Sequence, residues 1–228
     1  MNLIAGSSPP GSRVRLLTRE DAVRSAVLEA LSDATHIHAA CHASFRPLAP
    51  LDSALELARS EMLTLRDFLT AEARSGKARL AVLSGCGTGL AEFSEWPDEY
   101  LGLPAGLLAS GVQSVIATLW VVDDFTSCLV MQKFYELYFG ADYTSSGLPF
   151  REAEALAGAQ RWLRETTIGE LDDLFRTLYD RLGQGSLPEV CRAFILKGLD
   201  HYAHEHDRTR RPFAEAPQHW AAFVFVGA

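Results

Sequence analysis

No apolar run in this chain approaches the ~18 residues that a membrane-crossing helix needs, so no span is expected. The N-terminus, MNLIAGSSPPGSRVRLL, lacks the basic start and long apolar core of a secretory leader, which predicts a cytoplasmic protein. CxxC pairs are missing too. The four cysteines, Cys41, Cys86, Cys128 and Cys191, are scattered. Without a leader they read as reduced thiols and not as a disulfide framework. Basic surface is scarce: the formal net charge is −8, and the basic residues are nearly all arginine and unclustered. That argues against nucleic acid as partner, because phosphate binding needs a basic face. Internal repeats and low-complexity tracts are absent.

What remains is ordinary globular composition, 228 residues with 48% apolar and 22% charged. A domain of this size buries roughly 70–75% of its unfolded surface, enough for a substantial core. Residues 1–12, which include GSSPPGS, read as a flexible lead-in or truncated domain edge, and 13–228 as the folded domain.

Along that domain, RVRLL at 13–17 reads as a short strand. Thr18 with Asp21 matches a capping box and predicts a helix to about residue 33. THIHAAC at 35–41 reads as a strand, and the two prolines of 43–50 predict a loop. SALELA reads as a short strand. Thr64 with Asp67 repeats the capping box and opens a helix over 65–75, ended by Gly76. ARLAVLS at 78–84 and VQSVIATLW at 112–120 are continuous apolar runs, the pattern of strands buried on both faces of a parallel sheet. Between them lie a turn at 85–89, a loop at 90–99 and a helix over 99–110 closed by Gly111. Helices are expected over 125–139, 150–165, 169–183 and 188–203, and WAAFVFVG at 220–227 as a closing strand. Strands alternating with helices predict an α/β fold with parallel strands and right-handed crossovers. The helices of 150–205 are expected to pack on the same sheet, to which the closing strand returns.

In open α/β sheets the working crevice lies beyond the carboxyl ends of the strands. Successive buried strands here run out at His42, at Cys86 and just before Asp123 and Asp124. A thiol paired with an imidazole is the arrangement of a cysteine nucleophile and its base. A free thiol is only a few per cent thiolate at neutral pH, and an imidazole, which titrates between pH 5 and 8, can take its proton and return it to a leaving amine. Glycines flanking Cys86 allow a tight turn and leave room for a substrate backbone. The backbone amides of Ala43 and Cys86 are candidate oxyanion donors, and Asp123 and Asp124 candidate acids for a specificity pocket. Each residue also has a plainer reading. A buried cysteine is usually a small hydrophobe, which is the reading adopted for Cys41, Cys128 and Cys191. His42 alone would be a polar residue at a strand end. An aspartate before a helix is often its N-cap, so one of the acidic pair caps while the other faces substrate. His36, His38, Cys41 and His42 resemble a metal cluster, but the three histidines span too much strand for one ion. No metal and no cofactor is expected. His201, His204 and His206 are expected to face solvent.

Taken together, these segments resemble the CHAT family of caspase-like cysteine peptidases, distant relatives of caspases and separase. HIHAACHA is similar to the family's catalytic-histidine motif, usually HFACHG, and ARLAVLSGCGTG to its cysteine motif, usually LSACETG. LDSALELA with LTLRDFL resembles the segment between. LPAGLLASGVQSVIATLWVVDD resembles the family's helix, strand and SLWPVDD stretch, and HWAAFVFVG its closing YWAAFVLIG strand. The resemblance implies a caspase-like three-layer fold with a mostly parallel central sheet flanked by helices. It implies a bacterial-type thiol protease, with His42 as base, Cys86 as nucleophile and a protein or peptide substrate cleaved through a thioester acyl-enzyme. By analogy with separase it implies acidic residues selecting a basic side chain before the scissile bond, a role assigned to Asp123 and Asp124.

The chain departs from the pattern in places. Ala43 replaces the usual glycine, where a φ above zero would be strained. Gly-Cys-Gly-Thr replaces Ala-Cys-Glu-Thr, and 166–215 reads as a helical insertion. The family's first strand and preceding helix have no counterpart, so the chain reads as an excised domain, with a helical-repeat region or regulatory partner expected upstream. These departures motivate an alternative, an inactive caspase-like interaction module. VLSGCGTG also resembles the glycine-rich motif of S-adenosylmethionine-dependent methyltransferases. That motif belongs on the first strand of its core, with an acid ending the next strand about 20 residues on. Here other predicted strands precede it, and the reading leaves His42 unexplained.

Overall fold

The computed structural model describes residues 11–44, 46, 48–70, 77–84, 102–140, 151–185, 187 and 189–227. Their contacts gather into two compact units, residues 15–122 with 222–228, and residues 123–221 with the segment ending at Val14.

In the first unit the chain passes through α1 (Arg24–Leu31), β1 (His36–Ala39), β2 (Ala43–Ser44), β3 (Ala54–Glu56), β4 (Met62–Thr64), α2 (Leu65–Phe68), β5 (Leu80–Leu83), α3 (Leu103–Ala109) and β6 (Ser114–Thr118), and closes with β7 (Phe223–Gly227). The main sheet has the order β1-β5-β6-β7. β1, β5 and β6 are parallel and β7 is antiparallel to β6. Every residue of β5 and β6 is buried, as their unbroken apolar runs require. Between β1 and β5 the register pairs His36 with Leu80 and Ala39 with Leu83, so the two strands end level. A smaller antiparallel sheet, β2-β3-β4, follows β1 directly. The core joins α1 and α3 to the sheet strands, with Leu31, Ala81, Leu83, Leu107 and Val115 among its buried residues. Gly106 of α3 passes so close to Leu65 of α2 that a Cβ there would overlap its side chain. Gly111, at φ 103°, closes α3.

In the second unit α4 (Asp124–Tyr138), α5 (Arg151–Glu165), α6 (Ile168–Gly183), α7 (Arg192–Ala203) and α8 (Pro217–Trp220) carry a buried set of their own. Phe125 of α4 lies 5.5 Å from the ring of Phe175 in α6 and 5.1 Å from that of Phe194 in α7. Thr167 and Glu170 form a reciprocal capping box on α6. The buried Asp172 accepts from Arg176 at 3.0 Å and from Arg208 at 2.8 Å, tying the segment after α7 back to α6. Among the described residues no helix is long and apolar enough to cross a membrane.

The fold class agrees with the α/β expectation, and the strands at 35–41, 53–58, 78–84, 112–120 and 220–227 are present in shortened form. Some local readings need correction. Residues 13–17 form no strand. The helix expected from Thr18 is a 3₁₀ turn, Arg19–Asp21, followed by α1, and Thr18 makes no side-chain cap. The amide of Arg24 instead donates to Glu61 at 2.6 Å, so a distant carboxylate serves the N-terminus of α1. The segment 43–50 is not all loop, because Ala43 and Ser44 pair with β3. Residues 217–220 are helical, and the closing strand begins only at Phe223.

Candidate active site

β1 runs out at Ala39, and the chain turns through Cys41 and His42 into β2. His42 is exposed. Its backbone is fixed by the small sheet, since the Glu56 amide donates to the His42 carbonyl at 2.8 Å. That bond also sets the direction of the next residue. In an antiparallel pair, hydrogen-bonded and non-hydrogen-bonded positions alternate. With His42 bonded to Glu56, Ala43 faces Leu55 in a non-hydrogen-bonded pair, and its N–H and C=O point away from β3. Among the described residues β2 is the outer strand of its sheet, so this amide faces an open edge. Among the described non-glycine residues only Arg19, Arg59 and Ser60 have positive φ. Ala43 therefore sits in ordinary extended backbone, and the strain expected from replacing glycine is absent.

Cys86 and its flanking glycines lie outside the described residues. The strand leading to them is well placed: the Ser84 amide donates to the Ala39 carbonyl at 3.0 Å, continuing the β1–β5 ladder to its carboxyl end. His42 follows Ala39 by three positions, and Cys86 follows Leu83 by three, from partners level in the register.

The other cysteines have environments that oppose ionisation. Burial pushes the Cys41 thiol up to about 11, helped by the nearby Glu56 charge. Burial likewise raises Cys128 and Cys191. The plain structural reading of these three agrees with their surroundings.

Of the acidic pair, Asp123 is the N-cap of α4, its carboxylate accepting from the Thr126 amide at 3.0 Å. Asp124, in the first turn, is exposed. His201, His204 and His206 are exposed, as expected. The upstream histidines are engaged with hydroxyls: Nδ1 of His36 lies 3.0 Å from Oγ1 of Thr35, and Nε2 of His38 lies 2.9 Å from Oγ of Ser84. Desolvation pushes His38 down to about 3, so its ring is neutral near neutral pH. This link between β1 and the residue that follows β5 belongs to none of the sequence motifs. Its signal was parity, because His38 and Ser84 stand on the same face of neighbouring strands once the register is known.

A family model described as CHAT domain matches residues 3–228, nearly the whole chain. No curated protein matches it.

Proposed function

Because the chain belongs to the CHAT domain family, which is related to caspase-like peptidases, we propose that it is a cysteine endopeptidase with His42 as base and Cys86 as nucleophile. The supporting observation is the level ending of β1 and β5, from which the two residues are equally spaced in sequence. His42 takes the thiol proton. The thiolate attacks the scissile carbonyl, and the tetrahedral oxyanion is held by the backbone amides of Ala43 and Cys86. Collapse expels the amine, which receives the proton from His42, and leaves a thioester. Water, deprotonated by His42, then releases the acid and restores the thiol. The outward amide of Ala43 suits the oxyanion role, in which one donor contributes on the order of 10²–10³ in rate. For specificity, the capping duty of Asp123 leaves the exposed Asp124 as the charge that would select Arg or Lys before the cut.

The test is a peptide carrying an alkylating warhead, with the adduct mapped by mass spectrometry. Cys86 is expected to be labelled first, and His42→Ala to slow labelling at least about 100-fold. Preferential labelling of Cys128 or Cys191 would overturn the reading. A substrate library is expected to show Arg or Lys before the cleaved bond, and an acidic or apolar preference there would remove the role of Asp124. Equal cellular function of Cys86→Ala and the unaltered protein would favour an interaction module instead.

A further inference from the structure

We propose that His38 and Ser84 are a positioning pair that locks together the ends of the two strands leading to His42 and Cys86; this role rests on the peptidase reading above. The bond between them is 2.9 Å long and joins residues 46 apart in sequence. In register His38 pairs with Val82, so its ring reaches two positions further along, toward the carboxyl end of the sheet. The last backbone bond described between these strands, Ser84 N–H to Ala39 C=O, lies at the same level. Backbone and side chain thus close the ladder together. Beyond this point β1 gives way to the turn holding His42, and β5 to the segment holding Cys86.

Parallel strands are joined by evenly spaced, slanted bonds, and the terminal bond of a ladder opens most easily. A side-chain bond across the last rung opposes that opening. The requirement is severe, because a displacement of about 1 Å between reacting groups costs on the order of 100-fold in rate. The imidazole is desolvated and neutral near neutral pH, so it presents one donor and one acceptor to its neighbours and brings no charge into the sheet. Neither side chain needs to touch substrate for this role.

The test uses the full chain and the same warhead, reading the maximal inactivation rate, the half-saturating warhead concentration and the melting temperature. Ser84→Ala and His38→Leu are each expected to lower the rate by about 10- to 100-fold while half-saturation changes less than about twofold. The double variant is expected to be no slower than the slower single, since both remove one bond. Ser84→Thr and His38→Gln, which keep a hydrogen-bonding group, are expected to recover much of the rate. Unchanged rates in the single variants, or losses that multiply in the double variant, would overturn the pairing. Losses that track melting temperature and are not recovered by Ser84→Thr or His38→Gln would reduce the pair to general stability and overturn it too. Failure of the unaltered protein to be labelled at Cys86 would instead sink the peptidase reading, and the positioning role with it.

Discussion

The carboxylate of a buried residue needs its charge answered, and Asp67 has it answered from two directions. Arg24 donates to it twice, at 2.6 Å and 3.2 Å. The Thr64 amide and hydroxyl donate at 2.8 Å and 2.9 Å. The Arg24 bonds, with help from Thr64, hold the Asp67 carboxyl below its usual range. Asp67→Asn keeps the shape but leaves the guanidinium without its counter-charge. Because Arg24 is half exposed, water recovers part of that loss. The expected destabilisation is about 1–3 kcal/mol, read as a lower urea midpoint with an unchanged denaturant slope. A midpoint equal to that of the unaltered protein would show that the pair contributes nothing net.

Among the elements, legibility divides by range. The Thr64–Asp67 box was readable because both partners and both bonds lie within one helical turn. The same spacing at Thr18 and Asp21 misled, because α1 begins at Arg24 and takes its cap from Glu61, 37 residues away. β5 and β6 were legible as apolar runs, whereas β2 and β4 are two and three residues long, too short for any period to register. At the candidate site, the strand-end positions of His42 and Asp123 could be read from sequence. The outward amide of Ala43 and the reach of His38 to Ser84 could not, because both depend on register between strands. Packing between helices is equally hidden. Gly198 of α7 lies where a Cβ would overlap the ring of Phe175, itself fully buried in α6. Gly198→Ala would gain about 1 kcal/mol in helix propensity. It would lose about 1–3 kcal/mol by forcing the two helices apart. The net expectation is a lower melting temperature, with far-ultraviolet circular dichroism unchanged. A higher melting temperature would mean that the α6–α7 contact yields freely.

At the scale of the whole molecule, the shifted groups combine into one pH dependence. His38 is held neutral, its proton affinity lowered from the ordinary 6.5 to about 3. Between those values the unfolded chain binds a proton that the folded chain refuses. Stability therefore rises with pH across that window and is lost as pH falls through it. Asp67 and Asp172 act in the same direction lower down, because their arginine partners depress both below the ordinary 3.8. Their contribution is present above that value and disappears as the carboxylates are protonated. The urea midpoint is accordingly expected to decline from about pH 6.5 downward and more steeply below about pH 4. His38→Gln loses the packing of the ring at every pH and the titrating group as well, so it should be less stable at pH 7 yet show a flatter profile between about pH 6.5 and 4. Its curve and that of the unaltered protein should converge toward acid. Parallel profiles would mean that His38 is protonated in the folded chain as readily as in the unfolded one, and the neutral, desolvated ring at the end of β1 would have to be abandoned.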